Sequence, residues 1–287
     1  MTQIASAQTV GRAVNLLRLV ASSRARHLRL IELAAMGGLD KSTTHRLLQR
    51  LVAERMLTRD PGQRGYRLGP LLYELGLAAF PENNLREAAH AALSTLAEST
   101  GDMAFLLMRS GFDTVCLERV TGNFAIQTMT AGVGDRHPLG MGAGGLAILA
   151  AMTDDNVERV LAANALQMER YGLDANTLRS RVASTREVGY ALDEGRAALD
   201  VTAVGRAIRD RAGSPVGAIF VASIKARMTP ARITEAESKI AAGVREVEAV
   251  MHQTAALPGS PGSAKPPASA ARRRKAGDSA RRAARNE

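Results

Sequence analysis

A chain of 287 residues is long enough for two ordinary domains, and 46% hydrophobic with 23% charged content describes a globular protein able to bury a core. No run approaches 18 uninterrupted apolar residues, and the N-terminus lacks the charged, apolar and small-residue succession of a secretory signal, so a cytoplasmic location is expected, with no membrane partner. The formal charge of +10 is unevenly spread: residues 1 to 80 carry twelve Lys/Arg against five Asp/Glu, residues 81 to 257 eighteen against twenty-one, and residues 258 to 287 eight against two. Basic ends suggest a polyanion, most simply nucleic acid, and leave the middle a different task.

In chain order, TVGRAVNLLRLVASS (9 to 23) spaces Val10, Ala13, Val14, Leu17 and Val20 as the inward stripe of an amphipathic helix. A second helix near Ile31 to Met36 ends at Gly37-Gly38, where glycine accepts the positive φ of a helix end. Asp40 then stands as N-cap of a third helix, about Lys41 to Arg55, whose Thr44, Leu47, Leu48 and Leu51 share one face. MLTRD-PGQRG-YRLGP reads as strand, turn, strand: a two-stranded wing with Arg64 at its tip. Another helix runs from Leu71 to Phe80, and Pro81-Glu82-Asn83-Asn84 makes a boundary.

The middle region mixes elements without an internal repeat. A helix over 85 to 100 precedes strands at 104 to 108, 114 to 120 and 124 to 130. A helix follows the glycines at 142 to 145, and DDNVERVLAA and NTLRSRVASTREVG are helical. TAVGRAI and VGAIFVAS flank the turn RAGSP as a hairpin, and ITEAESKIAAGVREVEAVMHQ closes the domain as a long helix. The expected organisation is a winged helix-turn-helix at 1–70, a linker helix at 71–84, a mainly antiparallel α/β domain at 85–257 and a disordered basic tail at 258–287, too poor in large apolar residues to fold.

Burying the stripe of the third helix leaves Lys41, Ser42, Thr43, His45, Arg46, Gln49 and Arg50 outward or flanking. A major groove about 12 Å wide accepts one such helix. Lys41, Arg46, Arg50 and the wing's Arg64 suit phosphates, while Ser42, Thr43, His45 and Gln49 have lengths suited to base edges. An ordinary solvated face would look similar; the series of Gly-Gly turn, capped helix and basic wing favours DNA.

TVGRAVNLLRLVA followed by LIELAAMGGLDKSTTHRLLQRLVAERMLTRDPGQRGYRLGPLLYELG closely resembles the N-terminal winged helix-turn-helix of the IclR family of bacterial transcriptional regulators. The resemblance continues through HPLGMGAGGLAILAAM, GYALDEG and SPVGAIFVAS, and covers about residues 8 to 253, with KSTTHRLL its most specific part. It implies a homodimer, often a dimer of dimers, in which a GAF-like C-terminal domain binds a small-molecule effector and alters how the winged domains engage double-stranded operator DNA.

GMGAGG (140 to 145) can present backbone N–H groups at the positive end of a helix dipole, a ready anion site; close packing at a turn without ligand is the alternative. The resemblance implies that Gly142, Ala143 and Asp193 contact effector. Where oxoacid-responsive members place cysteine and serines, this chain has Ala203, Phe220 and Ala222, and an apolar lining favours a larger or aromatic ligand. LGMGAGGLAILA also resembles versions found in regulators of aromatic catabolism. Arg206-Ala207 replaces an apolar residue and proline of many relatives; Arg206 is either an exposed edge arginine or a contact to an anionic effector.

Five histidines too dispersed to cluster and one cysteine, Cys116, in an apolar strand give no expectation of a metal, cofactor or redox site. Met103, Met108, Met129 and Met141 either line an adaptable pocket or, as is commoner for methionine, fill gaps in the core, and carry no functional expectation. No phosphate loop or nucleophile motif supports an enzyme with an appended DNA-binding module, so no catalytic residue is expected. A ligand-responsive regulator of a catabolic operon, answering to a small carboxylate or aromatic metabolite, is the function expected. The tail's RRRK and RRAAR suit non-specific phosphate contact, or are simply solvated.

Overall fold

The computed structural model describes residues 2–23, 27–59, 65–79, 85–128 and 131–254; Arg64, Met129 and the basic tail lie outside them. The N-terminal part contains helices α1 (Thr2–Ser22), α2 (Leu30–Gly37) and α3 (Lys41–Ala53), followed by the paired strands β1 (Leu57–Arg59) and β2 (Tyr66–Leu68). Leu28 bridges to Tyr66, tying the link after α1 to the wing. Leu16, Leu33, Leu48 and Leu57 are almost wholly buried at the centre of this unit. Gly38, at φ +61°, ends α2, and Leu39 N–H returns to the Ala34 carbonyl at 3.0 Å, which aims the chain into α3.

The inward face of α1 differs from its expected stripe. Leu16 and Val20 are buried and Ala13, Leu17 and Leu19 partly so, whereas Val10 is 64% exposed and Val14 38%. Four leucines and valines within residues 16 to 20 make the helix apolar on more than one side, so periodicity alone did not choose the buried one.

Helix α4 (Pro70–Ala79) leads on, and the remaining elements are α5 (Leu85–Thr100), β3 (Met103–Ser110), β4 (Asp113–Val120), β5 (Arg136–Pro138), α6 (Gly142–Ala150), α7 (Asp154–Glu169), α8 (Ala175–Val188), β6 (Ala191–Glu194), β7 (Val201–Arg209), β8 (Pro215–Ile224) and α9 (Pro230–Thr254). Six strands form one sheet in the order β5-β4-β3-β8-β7-β6, antiparallel throughout. Strand alternation sorts the core into two layers. Met103, Phe105 and Leu107 of β3 and Ala218, Phe220 and Ala222 of β8 join α6, α7 and α8; Ala104, Leu106, Ile219 and Val221 join α5 and α9. This is a two-domain α/β chain, with an N-terminal helical winged unit and a C-terminal antiparallel sheet covered by helices.

The expected strand at 124 to 130 is not one over its described part, 124 to 128. The outer edge of β4 is already taken, by β5 along Asp113–Val115 and by the Asp135 carbonyl accepting from Cys116 N–H at 2.9 Å. The segment runs instead as a loop, with Phe124 under the Arg227 guanidinium at 3.8 Å. At the far end of the sheet, Asp102 is buried and receives Arg227 Nε at 3.1 Å, Arg232 at 2.9 Å and the Ser223 hydroxyl at 2.6 Å, an ionic knot that fixes the start of β3 to α9. Cys116 is buried, its thiol 3.5 Å from the Glu118 carbonyl.

Candidate nucleic-acid interface and effector cavity

The conformation of α3 is fixed at its start. Asp40 Oδ1 accepts from the Thr43 N–H at 2.8 Å and from the Ser42 hydroxyl at 2.6 Å. These bonds, the Ser42 hydroxyl foremost, hold the Asp40 carboxyl well below the usual carboxylate range. Thr44 returns its hydroxyl to the Asp40 carbonyl at 2.8 Å and is buried with Leu48 and Leu51, so these three set the rotation of the helix.

The opposite side carries Lys41, Ser42, His45, Arg46, Gln49 and Arg50 exposed and Thr43 half-buried. Two of them have internal partners that the sequence did not disclose: Ser42 gives its proton to Asp40, leaving its lone pairs for an incoming donor, and Arg50 pairs with Glu54 at 2.5 Å. An exposed pair of that kind is worth at most about 1 kcal/mol, little resistance to a phosphate. On the wing, Arg59 and Arg67 are exposed on β1 and β2. Neither was singled out from sequence, although cations in a short two-stranded ribbon beside a reading helix are a visible signal.

The second site is a cavity of about 50 Å³ between the sheet and the start of α6. Gly142, Ala143, Asp193, Ala203 and Phe220 line it as a group, joined by Leu107, Thr114, His137 and Met141, which sequence had not assigned to it. Ala222 does not line it. It lies between Met103 and Ala203 in the sheet register, buried beneath the helical layer. The glycines do not precede α6, as expected, but form its first turn. A Cβ on Gly144 would stand 2.7 Å from Leu107 Cδ1 and 2.8 Å from Phe220 Cδ1, so only glycine lets this helix start lie so close to the sheet. Behind it Phe220 stacks on Phe105, with centroids 4.6 Å apart.

Met141, the N-cap residue of α6, supplies no capping side-chain oxygen. The helix therefore turns its positive end toward an apolar cavity without a carboxylate or hydroxyl of its own cap. Asp193 is otherwise engaged: Oδ1 accepts from Arg181 at 2.7 Å and Oδ2 from the Ala197 N–H at 3.0 Å, with the carboxylate 3% exposed. It thereby holds the 195–200 loop, whose Ala197 and Ala198 form one cavity wall. Arg206 is not the exposed arginine that was expected. It is two-thirds covered and pairs with Glu237 of α9 at 2.8 Å, outside this cavity.

Residues 9–61 match the IclR helix-turn-helix domain and residues 77–249 the bacterial transcriptional regulator IclR C-terminal domain. The transcriptional repressor IclR of Escherichia coli K12 is 28% identical over 252 residues, covering 84% of this chain and 88% of that protein. Among solved structures, an IclR transcriptional regulator from Alicyclobacillus acidocaldarius has the same fold at a TM-score of 0.69 and 24% identity, covering 84% of this chain and 98% of that one. An IclR homologue from Microbacterium hydrocarbonoxydans, solved with 4-hydroxybenzoate, gives 0.68 at 20% identity, over 85% and 99%. Among the described residues no helix is long and apolar enough to cross a membrane. With its capped, outward-facing α3 and both domain matches, the chain belongs to the IclR family of bacterial transcriptional regulators.

Proposed function

We propose that this regulator controls a catabolic operon as a homodimer or dimer of dimers, with α3 in the major groove of operator DNA and a carboxylate effector, aromatic in its preferred form, at the start of α6. The observation that carries the DNA half is the division of α3 into a buried Thr44-Leu48-Leu51 side and an exposed Lys41-His45-Arg46-Gln49 side. Exposed Val10 and Val14 on α1 and Tyr73 and Leu75 on α4 are apolar area that a second copy can cover.

For the effector, the uncapped α6 N-terminus takes the carboxylate, and Leu107, Ala203 and Phe220 take the apolar body. A volume of about 50 Å³ is well below the roughly 300–1,000 Å³ of ordinary ligand pockets. A benzoate-sized ligand therefore enters only by displacing a wall, and the 195–200 loop, with Leu199 86% exposed and Asp200 at φ +58°, is the wall with least packing. That displacement is the switch: the ligand favours the open arrangement, and the coupling passes through α4 to the spacing of the reading helices. The 4-hydroxybenzoate complex of the Microbacterium homologue supports an aromatic acid as the first compound to try.

The test is a pair of titrations on the full chain. Duplex from its own upstream intergenic region should bind at least about 10³-fold more tightly than random duplex, and an aromatic acid should raise Tm saturably. Equal affinity for both duplexes would end the operator reading; a Tm unmoved by aromatic acids and raised by two- or three-carbon acids would end the aromatic one.

A further inference from the structure

A second cleft, with a volume of about 260 Å³, lies at the other end of α6. Its position follows from strand register: β6 pairs with β7 only as far as Gly205, so at Arg206 the flank of β7 faces Gly189 and Tyr190 instead of a strand. Arg186 of α8 and Arg206 and Arg209 of β7 line the cleft, and no Asp or Glu is among its described lining residues. Three cations share one concavity that supplies no carboxylate.

Local bonds account for part of this. Arg186 donates to the Ala150 and Met152 carbonyls at 2.9 and 2.7 Å, which caps the end of α6, and pairs with Asp154, itself 86% exposed. Arg209 Nη1 donates to the carbonyls of Gly213 at 2.7 Å and Ala151 at 3.2 Å, both neutral acceptors, while the Glu248 carboxylate accepts from the Arg209 main-chain N–H at 2.8 Å and not from its guanidinium. Arg206 Nη2 reaches Glu237, but its Nε is buried and has no acceptor. Buried donors are nearly always satisfied, so capping explains Arg186 and leaves unexplained the orphaned Arg206 Nε and a lining of three guanidinium groups without a carboxylate.

We propose that this cleft binds a small polyanion, a phosphate monoester or a dicarboxylate, held by the guanidinium groups of Arg206, Arg209 and Arg186, with Arg206 turning its orphaned Nε toward the anion on binding. The volume lies just below the roughly 300–1,000 Å³ of pockets for drug-sized ligands, which suits a single phosphate or a short diacid. Guanidinium forks suit such groups because two N–H bonds meet two oxygens of one anion. The site is independent of the effector proposal: α6 serves that cavity with its first turn and this cleft with Ala147 and Ala150.

Calorimetric titration of the full chain with succinate, inorganic phosphate and, as a monoanion at matched ionic strength, acetate tests it. Succinate or phosphate should saturate with a Kd of about 1 mM or tighter, acetate should not, and whichever dianion binds identifies the class. Arg206→Gln and Arg209→Gln should each weaken that binding about tenfold or more, while Arg46→Gln on α3 leaves it unchanged. Arg206→Lys keeps the charge but lacks the fork, and should weaken binding even if Arg206→Gln fails to fold. No saturation of either dianion below about 10 mM, equal binding of acetate, or loss through Arg46→Gln in place of Arg206→Gln would overturn the proposal.

Discussion

Helices α3 and α6 begin in opposite ways. Asp40 satisfies the first turn of α3 internally, so what that helix offers a partner is the side chains of Lys41, His45, Arg46 and Gln49. Met141 caps nothing, and Gly142 and Gly144 carry no Cβ, so what α6 offers is backbone. The contrast separates two kinds of recognition in one chain: a capped helix presents its side, and an uncapped one presents its end.

The largest expected effects come from removing what holds each helix in place. Leu48→Ala should cost about 3 kcal/mol by denaturant titration, and lower operator affinity, because the rotation of α3 depends on its leucines. Asp193→Asn removes the charge opposite the largely covered Arg181 and leaves one oxygen for two donors, with an NH2 group facing the other, and should cost about 3 kcal/mol and abolish the effector response while operator binding survives. If the response persists in Asp193→Asn, the 195–200 loop is not the moving wall.

A middle-sized effect should follow from giving α6 the cap it lacks. Met141→Asp places a carboxylate where the effector's would sit, and should weaken aromatic-acid binding about tenfold or more by thermal shift without loss of folding. Unchanged binding in that variant would mean that the backbone end is not the anchor. The smallest effect concerns the cap already present. The Asp40 carboxyl is held below its ordinary value of 3.8, so its stabilisation is complete above that pH and declines as pH falls through it. The Tm gap between wild type and Asp40→Asn should therefore narrow on acidification below about pH 4, and a constant gap would contradict the cap's charge.

What could be read from sequence follows the same division. Asp40, Thr44, Leu48 and the outward cations lie within fifteen residues, where helical periodicity fixes which side chain points where, and the helix-turn-helix was legible for that reason. The cavity gathers Leu107, His137, Gly142, Asp193, Ala203 and Phe220 from six separate segments. Of these only the ones carried by family resemblance were anticipated, and Ala222, anticipated with them, lies in the core beside the cavity. The segment at 124 to 128 had a strand's alternation but no free edge to pair with, and β5, three residues ending in proline, had an edge but no pattern. Arg206 shows the same limit: its place near Glu237 and the second cleft depends on where β6 stops, which no local signal announces.

The account rests most heavily on the side of α3 that faces away from its own core. Anisotropy titrations of the upstream duplex against salt, for wild type and for Lys41→Gln and Arg46→Gln, address it directly. Each variant should weaken operator binding about tenfold and reduce the slope of log affinity against log salt by about one, because each removes one phosphate contact. Wild-type affinity and slope in both variants would contradict the placement of α3 against DNA.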